Sequence, residues 1–369
     1  MIALVLALVV CCLVQAGAWA WIGAGFRRVR EDRPEADGAA VPVSVVVAAR
    51  NESARLGALL DYLTRQTHGA FEVVIVDDRS TDATAEIVSQ RADTFPVPLR
   101  LVRVRESDAT DLPPKKHALT VGIEAATHER LAFTDADCTP PPGWLATLAR
   151  HAHETPEAVL VGYGPLVGDG WLGRFCRYET ARTAALSAGA IGHGWAWHAV
   201  GRSLSYPRAL WHRLGGFAAH ADSLSGDDDL LVQHAQREGV TIRYVLDAEA
   251  HVPSPAPTTW RAFWRQKRRH ASAGAHYDRR VLLGLGAMQV SSLALWIGAP
   301  LLHAMGGVPW GWGLLATSVL LQRAVLSDAW DTLGARADLR LWHPVLEVML
   351  AGYQAVAAVL GALPTPRRW

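Results

Sequence analysis

The chain has 369 residues, half of them hydrophobic, and 36 lysines and arginines balance 35 aspartates and glutamates for a formal net charge of +1. That length exceeds one small domain, the positive mean hydropathy is too apolar for an ordinary soluble enzyme, and so even a charge gives no reason to expect nucleic acid. Part of the chain is therefore expected in lipid. Cys11, Cys12, Cys138 and Cys176 show neither metal-ligand spacing nor a disulfide framework, which fits a reducing compartment.

In chain order, residues 1–26 read as an N-terminal transmembrane anchor. Ile2 to Ile22 is almost uncharged and long enough to cross a bilayer, and Arg27, Arg28 and Arg30 follow at once, which puts its C-terminal side in the cytoplasm. A cleaved signal peptide is the rival, given the small residues around Ala16 to Ala20, but there the charges should precede the apolar run. Within 42–254, apolar runs alternate with helical patterns. Val43 to Ala48, Glu72 to Val76, Leu99 to Val104 and Arg130 to Thr134 are predicted strands. Leu56 to Gln66, Thr81 to Gln90 and Lys116 to Thr127 are predicted helices, with Ser80 or Thr81 placed to cap the second. This βαβα order predicts an α/β domain with a parallel sheet and ligands at its carboxyl edge.

Residues 255–278 carry Trp260, Phe263 and Trp264 with a basic cluster from Arg261 to Arg269, the pattern of an amphipathic segment at a membrane surface. Trp171 to Trp197, aromatic and rich in small residues, also reads as interfacial and as shaping an entrance to the site. Three further apolar segments, 281–302, 310–326 and 344–363, read as C-terminal transmembrane helices, the first two joined by a turn at Gly306 to Pro309. Charged Asp328 to Arg340 should return to the cytoplasmic face, while Glu347 and Gln354 predict that the last segment packs on protein or lies in the interface. A buried bundle in a soluble domain is the alternative for all three.

Three acidic clusters carry the chemistry: Asp77-Asp78, Asp135-Ala136-Asp137 and Asp227-Asp228-Asp229. Carboxylates at strand ends usually bind a cation, accept hydrogen bonds or do chemistry, because an isolated charge is costly in a crevice. Asp135 and Asp137 point the same way across one residue, and their hard oxygens suit Mg2+ or Mn2+ bridging a diphosphate. Pro140 to Pro142 already supply the turn that is the bland reading of this cluster. Arg50, Asn51 and Glu52 form a polar loop suited to a base and ribose, though Asn-Glu-Ser can equally cap the helix after it. Lys115 and Lys116 open a helix where they can meet a diphosphate, or form a solvated pair. Three acids opening a helix make an unfavourable cap because they repel one another, and His193, His198 and His251 read as packing or hydrogen-bonding groups.

VVVAARNE (45–52), VVIVDDRSTD (73–82), KKHALTVG (115–122) and FTDAD (133–137) resemble, in order and spacing, the family 2 inverting glycosyltransferases of the GT-A fold. Gly201 to Tyr206, Gly215-Gly216-Phe217, SGDDDLL (225–231) and QKRRH (266–270) extend the resemblance over about 42–275. With its flanking apolar segments the chain is similar to the membrane-bound branch, including bacterial lipid and polysaccharide glycosyltransferases and ceramide-glucosyltransferase-like enzymes. The resemblance implies a GT-A domain with a doubly wound, Rossmann-like mixed sheet, joined to α-helical transmembrane segments in a bacterial-type inner membrane with the catalytic domain cytoplasmic. It implies a nucleotide sugar as donor, UDP-linked by preference, a lipid or lipid-linked acceptor, and a divalent metal. A processive polysaccharide synthase and an inert sugar-nucleotide-binding subunit are the alternatives; the sugar, the acceptor and the oligomeric state stay open.

Carried onto this sequence, the resemblance implies that Arg50, Glu52 and Asp78 contact the nucleotide, Lys115 the diphosphate, Asp137 the metal, and Asp135 the ribose or metal. The family's acidic pair fits in two registers. One makes Asp228 the base with Leu231 downstream; the other makes Asp227 the base with Leu230. The first is preferred because it also places an acid before the base. Gln266 and Arg269 keep their family places, with Arg269 on the diphosphate or the cluster on anionic headgroups. His270 stands where the family has tryptophan, so no stacking role carries over. Ala48 or Ala49 replaces the usual proline, and Pro114 the usual glycine.

Overall fold

The computed structural model describes residues 1–32, 34, 41–105, 111–274, 276–306, 309–335 and 337–361. The N-terminal half comprises α1 (Ile2–Glu31), β1 (Val43–Ala49), α2 (Leu56–Leu63), β2 (Phe71–Asp78), α3 (Thr84–Ala92), β3 (Leu99–Val104), α4 (Pro114–Ala125), β4 (Arg130–Phe133) and α5 (Trp144–Glu154). β5 (Val159–Gly162), β6 (Leu166–Val167), α6 (Gly170–Ile191), β7 (Leu204–Pro207), α7 (Arg208–Arg213), α8 (Asp229–Arg237), β8 (Ile242–Val245) and β9 (Ser254–Pro255) follow. Among the described residues four helices come last: α9 (Trp260–Gly274), α10 (Arg279–Gly306), α11 (Trp310–Thr332) and α12 (Asp338–Gly361).

Seven strands form one mixed sheet in the order β3-β2-β1-β4-β7-β5-β8. The valine-rich runs of β1 and β2 are buried on both faces, as strands covered by helices must be, and β1 to β4 pair in parallel as their alternation with helices predicts. β7 is the departure from an all-parallel sheet: it lies antiparallel between β4 and β5. Buried Arg130 explains how it is held. Its Nε donates to Ser205 Oγ at 2.8 Å, Nη2 to Ser205 O at 3.1 Å, and Nη1 to Ala158 O at 2.9 Å, so one guanidinium ties β4, β7 and the start of β5.

α1 packs along α6, α10 and α11 with Trp19, Ile22 and Phe26 buried. Gly25 and Gly192 meet backbone to backbone there, leaving no room for a side chain at either position. A segment so packed is a structural helix of the fold. By length and composition α1 and α10 suffice to cross a membrane. α11 extends six residues past the predicted 326, so Asp328 stays helical and pairs with Arg30 at 2.5 Å instead of lying in a loop. α12 starts at Asp338, with Pro344 inside it, and Glu347 packs on protein: it accepts from the Tyr178 hydroxyl at 2.5 Å and pairs with Arg182 at 3.4 Å. Most of the 171–197 stretch becomes α6, largely buried, with Trp171 exposed at its start. Part of the predicted Gly306 to Pro309 turn, and residues 362–363 of the last segment, lie outside the described residues.

Replacing Arg130 strands several buried carbonyls at the β4–β7 seam. Arg130→Met should destabilise the folded chain by about 3 kcal/mol, read as a lower unfolding temperature in detergent.

Candidate active site

The pairing of Ala49 with Asp77, and of Val46 with Phe133, brings β1, β2 and β4 out at one carboxyl edge. The chain after each strand therefore delivers polar groups to one crevice. After β1 and β2 the two loops are stitched together. The N–H of Asn51 donates to Ser80 Oγ at 2.9 Å, the N–H of Thr81 to Asn51 Oδ1 at 2.8 Å, and the N–H of Ser53 to Asp82 Oδ2 at 3.1 Å. These bonds delay α3 to Thr84, whose N–H is received by Asp82, and they spend Asn51 on the loop; no side chain caps α2. Hydrogen bonds from Ser53 and Thr84 hold the Asp82 carboxyl down at about 2.

Asp78 is fully buried at the end of β2. Its Oδ1 accepts from Arg79 Nε at 2.7 Å, while its Oδ2 has no hydrogen-bond partner and lies 3.9 Å from Arg50 Nη1. Arg79 and Asn51 both hold φ of 56°, a left-handed backbone uncommon outside glycine.

After β4, ligand atoms of Asp135, Asp137 and Cys138 lie within 4.8 Å of one another. Burial and the charge of Asp135 raise the Asp137 carboxyl, and burial with the charge of Asp137 raises Glu52. Burial would raise Asp135 too, but Lys115 and Arg202 outweigh it and hold that carboxyl below its ordinary value. Burial and the two aspartates push the Cys138 thiol up, so the available donors are carboxylate oxygens, a set that fits Mg2+ or Mn2+.

Lys115, from the first turn of α4, spans the crevice. Its Nζ lies 3.2 Å from Asp135 Oδ1 and 3.0 Å from Asp227 Oδ2. Burial alone would lower the ammonium, but Asp135, Asp227 and Asp228 outweigh it and hold Lys115 above its ordinary value. Lys116 is not half of a solvated pair: its Nζ is buried and donates to the carbonyls of His220 and Ser223 at 2.7 Å, shaping the loop before the third acidic cluster.

In that cluster Asp228 does cap α8, contrary to the expected repulsion, because its two oxygens accept from different chain segments. Oδ1 takes the Asp229 N–H at 2.8 Å and Oδ2 the Gly201 N–H at 2.9 Å. Burial first, then Asp229 and Asp227, push the Asp228 carboxyl up to about 7. A small pocket lined by Ala48, Lys115, Phe133, Asp135, Gly201, Tyr206 and Asp227 joins the second and third clusters.

On α9 the charge of Arg269 bears on both Lys115 and Asp135, and Gln266, one turn earlier, keeps a buried Oε1 without a hydrogen-bond partner. The structure thus joins Asp135, Lys115 and Asp227 by ion pairs, sets Asp137, Glu52, Asp228 and Arg269 in their field, and pairs Arg50 with Asp78 separately at the end of β2. Arg202 was not singled out from the sequence. It donates to Gly164 O at 2.6 Å and its charge bears on Asp135 and Asp137; the signal was its place inside the Gly201 to Tyr206 motif.

Removing the ammonium strands two carboxylates. Lys115→Met should cost roughly 3 kcal/mol of stability at pH 7. Because Asp135 is held below its ordinary value, its contribution is present above the carboxylate range and lost as pH falls through it. The difference between variant and parent should therefore shrink towards pH 3 in pH-resolved denaturation; a constant difference would contradict the bridging role.

Residues 44–191 match the glycosyl transferase family 2 domain, and residues 131–356, more than half of the chain, match glycosyl transferase family group 2. Probable glycosyltransferase YdaM of Bacillus subtilis is 24% identical over 237 residues, 62% of this chain and 54% of its own length. Beta-monoglucosyldiacylglycerol synthase of Nostoc sp. is 35% identical over 118 residues, 31% of this chain and 24% of its own length. The 4,4'-diaponeurosporenoate glycosyltransferase of Staphylococcus aureus is 32% identical over 97 residues, 26% of this chain and 24% of its own length. The chain therefore spans about half or less of these curated relatives. Among solved structures, mannosyltransferase PcManGT of Pyrobaculum calidifontis, in complex with GDP-Man and Mn2+, has a TM-score of 0.57 at 23% identity and covers 92% of this chain and 99% of its own, a likeness of fold. The chain belongs to glycosyl transferase family group 2.

Proposed function

We propose that the chain is an integral membrane glycosyltransferase that moves a sugar from a UDP-linked donor to the hydroxyl of a lipid or lipid-linked acceptor, with inversion. The observation that carries the reading is the Lys115 bridge, which sets a donor-side carboxylate, Asp135, and an acceptor-side carboxylate, Asp227, within reach of one ammonium. An inverting displacement needs a cationic seat for the leaving diphosphate and a base on the opposite side of the anomeric carbon. Lys115 and Arg269 supply the cations. Asp228 is the base: its carboxyl sits near neutrality, whereas Asp227 is committed to Lys115. A divalent metal held by Asp135 and Asp137 would neutralise the departing nucleoside diphosphate.

The Asp78 surroundings support uracil as the base. An unpartnered carboxylate oxygen flanked by the arginines 50 and 79 offers donor, acceptor and donor, the complement of uracil's two carbonyls and imide N–H. The Watson–Crick edges of guanine and cytosine present other orders. α1 and α10, together with relatives named for a diacylglycerol and a diaponeurosporenoate acceptor, support an acceptor presented at the bilayer. The GT-A domain over 42–254 then works from the cytoplasmic face, with 255–278 along the surface.

Membranes carrying the chain, given a panel of radiolabelled nucleotide sugars and then extracted for lipid, should yield metal-dependent label in the lipid fraction; no label from any donor would sink the reading. Asp228→Asn should lower turnover by about 10²–10⁴-fold with donor affinity unchanged. By calorimetry UDP should bind about tenfold more tightly than CDP or GDP, the worth of roughly one well-placed hydrogen bond. Equal affinities would remove uracil from the assignment.

A further inference from the structure

Three consecutive residues of the connection between α9 and α10 are fastened to the 222–233 segment, one of them to the third acidic cluster. His276 Nε2 lies 3.1 Å from Asp222 Oδ2, the Tyr277 hydroxyl donates to Asp229 Oδ2 at 2.5 Å, and the N–H of Asp278 donates to Gln233 Oε1 at 3.1 Å. α10, long and apolar enough to cross a membrane, begins at the next residue, Arg279. A phenol tethered to the head of a membrane helix thus touches the carboxylate beside the proposed base.

The three adjacent carboxylates have separate partners. Asp227 pairs with Lys115, Asp228 accepts the N–H groups of Gly201 and Asp229, and Asp229 accepts from the Ala199 N–H at 2.9 Å and from Tyr277. We infer that Tyr277 is a positioning residue for the transfer: its hydroxyl holds Asp229 Oδ2 and so fixes the carboxylate beside Asp228, the proposed base. The inference rests on the reading of Asp228 as base.

The electrostatics agree in sign. Asp228 is faced by Asp227 and Asp229 on its own segment, by Lys115 from α4, by His198 from the segment after α6 and by Tyr277 from the connection. Burial pushes Asp229 up to about 6, against which the Tyr277 and Ala199 hydrogen bonds act to lower it. Without the phenol, Asp229 loses a hydrogen bond that lowers it, so it holds its proton to higher pH and its charge raises Asp228 less. The base becomes weaker and ionises at lower pH.

The test uses the full-length chain in detergent, with kcat/KM for a labelled nucleotide sugar measured against pH. Tyr277→Phe should move the acid limb down by about one pH unit and lower the plateau, with KM for the donor unchanged. Asp229→Asn, which removes the same charge by another route, should move the limb in the same direction. A Tyr277→Phe enzyme that is slower with its acid limb in place shows a merely structural contact and overturns the inference, as does an Asp229→Asn limb that stays or moves up. Asp228→Asn separates the two levels: full turnover in that variant defeats the base assignment itself, whatever Tyr277 does.

Discussion

The arrangement depends on one ammonium between two carboxylates. Opposite charges about 4 Å apart interact by roughly 4 kcal/mol at the effective dielectric of a protein crevice, and unscreened like charges repel by as much. Asp135, Asp137 and Glu52 crowd one wall, and Asp227, Asp228 and Asp229 the other. Lys115 Nζ, 3.0 and 3.2 Å from the nearest acid of each wall, makes that crowding tenable. Its position follows from the backbone. Pro114 fits the first turn of α4, where its missing N–H costs nothing, and buried Lys116 anchors the next residue to the carbonyls of the 220–223 loop. The two lysines divide the labour: one holds the loop that leads to the acids, the other meets the acids.

Around this centre the helices of the two chain ends are joined to the domain by buried polar contacts as well as by apolar packing. Lys267 pairs with Glu179 at 2.6 Å, linking α9 to α6, and Arg182 on α6 reaches Glu347 on α12. Truncating one member of such a buried pair leaves a charge without a partner, which is far more destabilising than the pair's net contribution to stability suggests. α9 is thereby seated on α6, and α6 in turn on α1.

Much of this was legible in the sequence because it depends on local pattern. Two-sided burial writes itself as valine runs, so β1 and β2 were placed within a residue or two, and Asp77, Asp78 and Asp135 were recognisable as strand-end acids. What escaped depends on partners far along the chain. The resemblance implies a mixed sheet, but nothing near Arg130 says that its charge will be buried against Ser205, so which strand runs antiparallel is not legible from the local pattern. Asn51 was read as a cap or a base contact because its partner, Thr81, lies 30 residues away. Lys116 looked solvated because the two carbonyls that receive it are over a hundred residues on. α11 was cut short at its charges because Arg30, which neutralises Asp328, sits at the other end of the sequence.

The two left-handed residues show how such distant bonds serve the site. A non-glycine residue at φ of 56° is disfavoured by about 1–3 kcal/mol and persists only where the surroundings over-determine it. Here they do: Asn51 is held by Ser80 and Thr81 across the crevice, and Arg79 by its ion pair to buried Asp78. A glycine at 79 would relieve the backbone but leave Asp78 without its nearer cation, in a place where an unpaired carboxylate is costly. The strained arginine is therefore the arrangement that gives buried Asp78 its nearer ion pair while its Oδ2 makes no hydrogen bond. The same ion pair that fills the Asp78 turn thus holds Arg79 in its left-handed backbone.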